Sequence, residues 1–470
     1  MAGVLAAPIP VPPSEDVLDL SGAKWGEAVF VLKNEATPPA EGGELRVLSL
    51  KLPLHDRVIT FGSDGKRTAG VVPSNRAHLW LRDENGRVLN VPQAGEGAGT
   101  FSGTPTREGV FTVFHLVDGR YLAAFPLAGA ASLAYFDFQP DKPPVLKVSS
   151  FGKAAVVGDL PLLSAAVSED LYDACQKVWR ATLDAGLPGI TARLREDKSY
   201  PDYFHYLGWC TWEEYRSHIS AKLLADSVKK IRASKVPVRW LLVDEGTQWH
   251  TADSEKDRMR VGKLRSFEPR SDHFPDGLKP VTALKDEAGI RWMGIWHHQG
   301  GFYRGIDRAA IADLPGAGKH LGKQRNGQLK PLPDYESQAC FFDHLFKRSR
   351  EAGFDFVKVD FQGPNFQGYI GGENAVAAHA NANRALEDHC REHDLGLIHC
   401  FAQDSIVALN ASHAPVIRVS QDYRSGKLTP ARIQTYQCYN NKLWLGQVFW
   451  GDHDMFHSDD KVANRVMAVS

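Results

Sequence analysis

The chain has 470 residues, of which 43% are hydrophobic and 24% charged, and its 55 basic and 56 acidic residues leave a formal net charge of −1. This length exceeds that of one ordinary domain, so two or three domains are expected. The balanced charge offers no basic excess to neutralise phosphates, so no nucleic-acid partner is expected. No run of about eighteen apolar residues occurs, so neither a membrane-spanning helix nor a membrane partner is expected.

The cysteines and the first residues bear on the compartment. The six cysteines are scattered with no Cys-x-x-Cys pair, which argues against a disulfide scaffold and against a zinc site built on such pairs. Residues 1–13 are small, apolar and rich in proline but lack the basic region of a signal peptide. The sequence therefore predicts a soluble protein, either cytoplasmic or exported with its signal peptide removed, and leaves the oligomeric state open.

Residues 1–165 are predicted to form an N-terminal β-sandwich domain. The predicted strands are Ala28–Leu32, Leu45–Leu50, Ala77–Arg82, Val110–Phe114, Tyr121–Phe125 and Val145–Ser149. Turn-forming residues such as Asp83-Glu-Asn-Gly86 separate these short apolar runs at close spacing. Such a rhythm is typical of an antiparallel all-β domain.

Residues 166–198 are predicted to form a helical linker. Apolar residues recur here every three to five positions, at Leu171, Cys175, Val178 and Leu183. Ser168-Glu-Asp170 is a helix-start signal, and Gly186-Leu-Pro-Gly189 is typical of a helix end. The boundary between two domains is therefore placed in this segment.

Residues 199–470 alternate between predicted strands and helices, as in a catalytic (β/α)₈-barrel, or TIM barrel. Strands are predicted at Tyr206–Thr211, Arg239–Glu245, Arg291–Trp296, Phe354–Phe361, Leu395–Phe401, Pro415–Ser420 and Leu443–Trp450. Helices are predicted at Ile219–Ser234, Gly277–Ala288, Ser337–Ala352, Glu373–His393, Thr429–Asn440 and Lys461–Val469. Because only seven strands are predicted, we expect the last strand of the barrel to be missing from this chain.

Reactive side chains cluster at the carboxyl ends of the predicted strands, which share one rim in a barrel of this kind. The residues are Trp209, Trp212, Asp244, Glu245, Trp296, His297, His298, Lys358, Asp360, His399, Cys400, Arg418, Asp422, Asp452 and Asp454. Carboxylates accept hydrogen bonds from hydroxyl groups, and indole rings stack on the C–H face of a sugar. A carbohydrate is therefore the expected partner, although Trp212 is expected to belong to the core.

Asp360 and Asp422 are the predicted catalytic pair. They follow the fourth and sixth predicted strands, so they can face each other across the rim. Retaining glycosidases use two carboxyl groups about 5–5.5 Å apart, one as nucleophile and one as acid and base. Lys358 lies two residues before Asp360, on the same face of the strand, and its charge is expected to keep Asp360 ionised.

Two other functions would use the same residues. One is a metal site built from His297, His298, Asp244 and Asp360. It is disfavoured because adjacent histidines on a strand point in opposite directions and neither His-x-His nor His-Glu-x-x-His occurs, so no metal and no cofactor are expected. The other is a catalytically silent carbohydrate-binding protein, which would keep the tryptophans but would not need a carboxylate supported by a lysine.

Four motifs resemble the raffinose synthase and alkaline α-galactosidase branch of family 36 glycoside hydrolases. They are Leu207-Gly-Trp-Cys-Thr-Trp212, Leu242-Val-Asp-Glu-Gly-Thr-Gln248, Lys358-Val-Asp360 and Asp452-His-Asp-Met-Phe-His457. The likeness runs through most of residues 200–470, and the upstream β-domain is similar to that family's N-terminal sandwich. The resemblance implies a retaining mechanism on α-galactosides.

The resemblance also implies roles for single residues. Asp360 would be the nucleophile, and Asp422 would be the acid and base, because it holds the matching place in the family's Arg-x-x-Asp-Asp-Phe segment. Asp244 and Glu245 match the paired acids that bind sugar hydroxyls. The other substrate-binding candidates, from the resemblance or from the strand ends, are Trp209, Trp296, His297, Lys358, Cys400, Arg418 and Asp454.

The chain departs from the family pattern close to the expected sugar site. Asp244-Glu-Gly-Thr-Gln248 replaces Asp-Asp-Gly-Trp-Gln, Gln421 replaces the first acid of the later pair, and the family's C-terminal β domain is lacking. The predicted function is a retaining α-glycosidase that hydrolyses α-galactosides, such as raffinose-type oligosaccharides, by double displacement. The alternatives are an α-galactosyltransferase of the raffinose synthase type and the silent carbohydrate-binding protein.

Overall fold

A computed structural model gives the fold of two parts of the chain. It describes residues 7–22, 26–63, 81–82, 87–88, 108–138, 143–251, 262–285, 287, 289–314, 316–420, 422–423, 425–426, 434–435, 437–457 and 460. These residues form an N-terminal part made mainly of strands and a C-terminal part in which strands and helices alternate. Within them, no helix is both long enough and apolar enough to cross a membrane.

The N-terminal part contains a ten-stranded sheet. Its strands, with two smaller pairs, are β1 (Ile9–Val11), β2 (Val17–Asp19), β3 (Glu27–Leu32), β4 (Ala36–Thr37), β5 (Glu44–Lys51), β6 (His55–Ser63), β7 (Leu81–Arg82), β8 (Arg87–Val88), β9 (Glu108–Leu116), β10 (Tyr121–Pro126), β11 (Leu133–Asp137), β12 (Val145–Ser149), β13 (Val156–Val157) and β14 (Leu160–Ser168). The sheet order is β1-β3-β14-β10-β9-β11-β12-β5-β2, with β6 beside β9, while β4 pairs with β13 and β7 with β8. All neighbours in the large sheet are antiparallel except β1 with β3 and β2 with β5.

The described strands show an antiparallel β-rich part but do not confirm a sandwich. A sandwich divides its strands between two facing sheets, whereas ten of the described strands are hydrogen-bonded into one. The alternation of side chains along a strand predicts a buried face, but it does not say which strands pair. One face of the sheet buries a cluster around Phe30, Phe114 and Phe136. Most of the predicted strand Ala77–Arg82 lies outside the described residues.

Helix α1 (Leu171–Asp184) packs against the other face of this sheet. It begins as predicted because the carboxylate of Asp170 accepts hydrogen bonds of 2.9 Å from the backbone N–H groups two and three residues later. Its buried face carries Trp179, whose ring centroid lies 4.6 Å from that of Phe125. The predicted linker segment therefore contributes a helix to the packing of the β-rich part.

The C-terminal part contains the remaining strands and helices. The strands are β15 (Gly208–Cys210), β16 (Trp240–Val243), β17 (Gln248–His250), β18 (Leu264–Pro269), β19 (Trp292–His298), β20 (Leu321–Lys323), β21 (Leu329–Pro331), β22 (Phe356–Asp360), β23 (Gly396–His399), β24 (Val416–Arg418) and β25 (Trp450–Asp452). The helices are α2 (Trp212–Tyr215), α3 (Ala221–Ser234), α4 (Lys279–Thr282), α5 (Tyr335–Glu351), α6 (Gln362–Phe366), α7 (Ala375–Glu392) and α8 (Ser405–Asn410). Short 3₁₀ helices lie at Glu41–Gly43, Arg195–Asp197, Asp202–His205, Arg308–Asp313, Ala317–Lys319, Asn441–Leu443 and Leu445–Gln447.

Seven of these strands form a parallel sheet in chain order, β15-β16-β19-β22-β23-β24-β25, as in a partial (β/α)₈ barrel. An eighth strand is not found among the described residues, and the predicted helix Lys461–Val469 lies outside them. The helix predicted over residues 277–288 is reduced to α4, and two 3₁₀ turns occupy half of the strand predicted over residues 443–450. Parallel pairing brings the carboxyl ends of all seven strands to one edge, where Trp296 is in register with Lys358.

The two parts of the chain pack against each other. The ring centroids of Phe111 in the β-rich part and Trp444 in the barrel part are 6.5 Å apart, inside one buried apolar cluster. The backbone N–H of Lys153 contacts the carbonyl oxygen of Glu373 at 2.9 Å. A Cβ added to Gly152 would lie 2.2 Å from that same oxygen, so this junction requires glycine.

Candidate active site

A cavity lies at the carboxyl ends of the parallel strands. It is lined by residues of the strand ends and of the loops that follow them: Trp212, Glu213, Asp244, Glu245, Trp296, Tyr303, Lys358, Asp360, Phe361, Phe401, Arg418, Asp422, Tyr423, Asp454 and Met455. Six of these residues are acids, two are bases and six are aromatic. Such a lining suits a ligand with many hydroxyl groups and an apolar ring face.

A larger cavity lies next to helix α5. It holds about 330 Å³, against about 60 Å³ for the cavity at the strand ends, and it is lined in part by Phe341, Ser349 and His297. None of the predicted substrate-binding or catalytic carboxylates lines it. Size therefore does not locate the chemistry, and we place the candidate site where the carboxylates meet.

Asp244 and Lys358 form a buried ion pair at the base of the site. Lys358 Nζ donates a hydrogen bond of 2.9 Å to Asp244 Oδ2, and both side chains are less than 10% exposed. The thiol of Cys210 contacts the same oxygen at 3.5 Å. Burial, the largest single effect, would lower the pKa of Lys358, but Asp244 and the other acidic groups around it together hold that pKa well above its ordinary value. The lysine is therefore a fixed positive charge in the cavity.

Asp360 is buried at the end of β22, on the same face as Lys358. Its Oδ2 accepts a hydrogen bond of 3.0 Å from the indole Nε1 of Trp296, and its Oδ1 accepts one of 2.8 Å from the backbone N–H of Phe361. Burial raises the pKa of Asp360 above its ordinary value, because the positive charge of Lys358 and the indole bond offset burial only in part. Both oxygens are thus held in place at the edge of the cavity.

The expected partnership of Lys358 with Asp360 needs correction. The two side chains share a strand face, as the spacing predicts, but the ammonium group hydrogen-bonds Asp244, which directly follows β16, two strands away from β22 in the sheet. The long lysine side chain reaches across the sheet to Asp244. Its positive charge still lowers the pKa of Asp360, but by less than burial raises it. Lys358 therefore acts on Asp360 through its charge, while its hydrogen bond goes to Asp244.

Glu245 carries an unsatisfied oxygen into the site. Its Oε2 accepts a hydrogen bond of 2.9 Å from the hydroxyl of Tyr303, while its buried Oε1 has no hydrogen-bond partner within the described part of the chain. Burial raises the pKa of Glu245 from 4.5 to about 8. A buried polar oxygen without a partner costs free energy, so this oxygen is suited to form a hydrogen bond with a ligand.

Arg418 anchors two carboxylates on the other side of the cavity. Its guanidinium group donates to Asp454, and a second N–H donates to Asp422 Oδ1 at 2.5 Å. Burial, the largest single effect, would lower the pKa of Arg418, but Asp454 and the other acidic groups around it together hold the pKa well above its ordinary value. Burial also raises the pKa of Asp454 to about 6. Arg418 and Asp454 are buried, whereas the side chain of Asp422 is 54% exposed and lies at the mouth of the site.

The structure brings most of the predicted site residues together. The residues that line the one cavity are Asp244, Glu245, Trp296, Lys358, Asp360, Arg418, Asp422 and Asp454. The charge of Asp422 also contributes to the raised pKa of Asp360, which places the two predicted catalytic carboxyls within electrostatic reach. Cys400 is buried beneath the site and does not line the cavity, and burial raises the pKa of its thiol well above the ordinary value. Gln421 lies outside the described residues.

Two predicted substrate-binding residues lie on the wrong face of their strands. Trp209 packs on the helix side, with its ring centroid 6.2 Å from that of Tyr215. His297 also points to the helices, and its Nε2 lies 2.8 Å from Ser349 Oγ on α5. Side chains alternate along a strand, so the inward position of Trp296 sends His297 outward. Neither Trp209 nor His297 lines the cavity.

Several cavity residues were missed by the sequence interpretation. Trp212 was expected in the core but lines the cavity, and the others are Glu213, Tyr303, Phe361, Phe401, Tyr423 and Met455. Most of them follow a strand end, where a rule of alternation no longer applies. Phe361 and Phe401 have left-handed backbones, with φ of 61° and 46°, and their rings stack at 5.5 Å. The sequence signal that could have identified Phe361 and Phe401 was an aromatic residue just after each of the strands β22 and β23.

Sequence comparisons relate the chain to plant enzymes. Residues 183–270 match the family model described as raffinose synthase or seed imbibition protein Sip1. A probable galactinol–sucrose galactosyltransferase 6 of Arabidopsis thaliana is 23% identical over 338 residues, which are 64% of this chain and 44% of that protein. A galactinol–sucrose galactosyltransferase of Pisum sativum is 22% identical over 323 residues, 57% of this chain and 40% of that protein. The matches thus span less than half the length of these curated relatives.

Structural comparisons support the fold. An α-galactosidase from Thermus thermophilus in complex with stachyose has a TM-score of 0.56 at 17% identity, covering 94% of this chain and 90% of that chain. A cycloalternan-degrading enzyme from Trueperella pyogenes has a TM-score of 0.55 at 11% identity, covering 94% of this chain and 65% of that chain. At these identities the likeness concerns the fold alone.

The fold and the site define a class of protein before any family is considered. A parallel barrel sheet with carboxylates and aromatic residues at its carboxyl edge is an arrangement that barrel glycosidases use. The family model and the plant relatives narrow that class. Together these findings support a raffinose synthase-like protein of glycoside hydrolase family 36.

Proposed function

We propose that this chain carries the catalytic site of an enzyme that acts on α-galactosides with retention of configuration. The observation that carries the proposal is that two carboxyl groups with different environments line the same cavity. Asp360 is buried and fixed by Trp296, while Asp422 lies at the mouth of the same cavity and is fixed by Arg418. A buried nucleophile and an accessible acid are the two groups that a retaining glycosidase needs.

In the proposed reaction, Asp360 attacks the anomeric carbon while the bond from that carbon to the leaving oxygen breaks. Asp422 donates a proton to the leaving oxygen, and a covalent galactosyl–enzyme ester forms. Asp422, now a carboxylate, then removes a proton from an incoming hydroxyl, which attacks the anomeric carbon and releases Asp360. The exposure of Asp422 supports this role, because the leaving and incoming groups must both reach it.

The sugar itself is proposed to lie over the Asp244–Lys358 pair and Glu245. The pair offers one fixed positive and one negative group 2.9 Å apart, which can donate to and accept from neighbouring hydroxyls. Oε1 of Glu245, which has no partner among the described residues, can form a further hydrogen bond with a sugar hydroxyl. The hydrogen bond from Tyr303 keeps the other oxygen of Glu245 in place. These contacts support a role in selecting the sugar.

Hydrolysis and transfer differ only in the group that attacks the galactosyl–enzyme. We propose hydrolysis as the first reading of the site, since nothing but water is needed to complete the cycle. Transfer to a sugar hydroxyl is the second, and the names of the plant relatives favour it. Incubation with p-nitrophenyl α-galactoside, with and without sucrose, separates them. Free galactose in both reactions supports hydrolysis, whereas a trisaccharide formed only with sucrose supports transfer.

The experiment that tests the catalytic proposal is the change Asp360→Ala. We expect this variant to lose turnover of p-nitrophenyl α-galactoside while keeping its fold. Added azide should then restore nitrophenol release and give β-galactosyl azide, because azide can occupy the space of the lost carboxylate and attack directly. Unchanged turnover by Asp360→Ala would refute the assignment of Asp360 as the nucleophile. A wild-type chain that binds α-galactosides and turns over none would favour the silent carbohydrate-binding protein.

A further inference from the structure

A second cluster of ligating side chains lies away from the cavity, on helices α5 and α7. Near its end, α7 carries the sequence His389-Cys-Arg-Glu-His393, in which the two histidines are four residues apart. On a helix this spacing places both imidazoles on one face. The pattern His-x-x-Glu-His is one that zinc-binding helices use. This histidine pair lies at a helix end, and it is distinct from the metal site at the strand ends that was disfavoured from the sequence.

Helix α5 supplies a carboxylate to this face. Asp343 Oδ1 lies 2.7 Å from the Nε2 of His393 and 3.9 Å from the Nδ1 of His389. The ligating atoms of the three residues all lie within 4.8 Å of one another. Glu392 adds a second carboxylate, whose Oε2 is 2.8 Å from the Nδ1 of His389. Helix α5 and the end of α7 thus present one carboxylate and two imidazoles to one point, with the carboxylate of Glu392 beside His389.

The nitrogen of His389 points to a missing ligand. Its Nδ1 is buried and makes no hydrogen bond among the described residues, because the nearby carboxylate oxygens are close but poorly aligned with it. The side chains of His389 and His393 are only 14% and 19% exposed, whereas Asp343 and Glu392 are about half exposed. The imidazoles therefore form the floor of the cluster, and the carboxylates leave an entry from solvent.

We propose that Asp343, His389 and His393, with Glu392 as fourth ligand, bind one Zn²⁺ ion. Imidazole and carboxylate together suit a borderline divalent ion better than Mg²⁺ or Ca²⁺, which prefer oxygen ligands alone. Ligand atoms about 2.0 Å from a tetrahedral zinc lie about 3.3 Å from each other. The separations of 2.7 and 3.9 Å among Asp343, His389 and His393 bracket that value, and Glu392 would rotate towards the ion from its contact with His389 at 2.8 Å.

The proposed ion would join α5 to α7. These helices precede β22 and β23, so an ion between them links the supports of the strand that carries Asp360 and of the strand beside it. None of the four ligands lines the candidate active site. The site is therefore structural in this proposal, and its effect is measured as binding and as thermal stability, independently of any activity on sugars.

The test uses the full chain, stripped with a chelator and titrated with ZnCl₂ by isothermal titration calorimetry. We expect one zinc ion per chain and visible d–d absorption of tetrahedral character when Co²⁺ replaces Zn²⁺. His389→Asn combined with His393→Asn should weaken binding by at least about 10–100-fold, the cost of losing even an outer partner of a metal ligand. His413→Asn, at an exposed histidine, is the matched control and should bind zinc as the wild type does.

Thermal unfolding gives the second readout. Zinc should raise the melting temperature of the wild type and of His413→Asn, but not that of the double variant. If the double variant is unfolded without zinc, Asp343→Asn takes its place in both measurements. Failure of the wild type to bind zinc would overturn the proposal. Equal zinc affinity of the wild type and of a folded ligand variant would overturn it as well.

Discussion

Replacement of Glu245 by glutamine should remove a large pH dependence of stability. Burial raises the pKa of this carboxyl from 4.5 to about 8, so the folded state holds a proton that the unfolded state releases. Stability from this group is full below pH 4.5 and is lost as the pH rises towards 8. The pKa difference of about 3.5, at about 1.4 kcal/mol per pH unit, corresponds to about 5 kcal/mol.

Glutamine has nearly the same shape and keeps an oxygen that can accept the hydroxyl hydrogen bond of Tyr303. Glu245→Gln should therefore be about as stable as the wild type at pH 5 and more stable at pH 8.5, by up to about 5 kcal/mol. Urea unfolding at several pH values measures this difference, and Glu336→Gln, at an exposed glutamate, is the control. Parallel stability curves for Glu245→Gln and the wild type would refute the reasoning.

Two further changes test the groups around the cavity. Lys358→Met leaves Asp244 as an unpaired buried charge and should lower the free energy of unfolding by about 3–5 kcal/mol, with partial recovery in the double variant with Asp244→Asn. Urea unfolding measures both, and a loss below about 1 kcal/mol would contradict a buried pair. Trp296→Phe removes the indole hydrogen bond to Asp360, worth about 1.5–3 kcal/mol for a charged acceptor, and should lower kcat/KM roughly 10- to 160-fold on an aryl α-galactoside. Unchanged kcat/KM would show that this hydrogen bond does not position Asp360.

Much of the central strand could be predicted from the sequence. The apolar run before Lys358 and Asp360 predicts a buried strand, and their spacing of two predicts a shared face, as observed in β22. The same rule misplaced Trp209 and His297, because it does not say which of two alternating positions faces the barrel interior. A tertiary contact such as the hydrogen bond from Trp296 to Asp360 shows which of the alternating positions faces the interior.

Other features depend on contacts that a local pattern does not contain. The partner of Lys358 is set by the length of its side chain, which reaches Asp244 at the end of a strand two places away in the sheet. The wall residue Tyr303 lies in a loop after β19, and its place at Glu245 follows from the path of that loop. Strand pairing in the N-terminal part likewise joins segments distant in sequence, such as β3 with β14, and the described strands do not confirm the predicted sandwich.

The role of Asp360 as nucleophile is tested most directly by trapping the proposed ester. A fluorinated α-galactosyl fluoride, which slows hydrolysis of the galactosyl–enzyme, should add one fluorogalactosyl group per chain. Peptide mapping by mass spectrometry should place that group on Asp360, and Asp360→Ala should remain unlabelled. A label on Asp422, on Asp454 or on any other carboxylate would contradict the assignment of Asp360. Turnover of aryl α-galactosides with inverted products would contradict the double displacement itself.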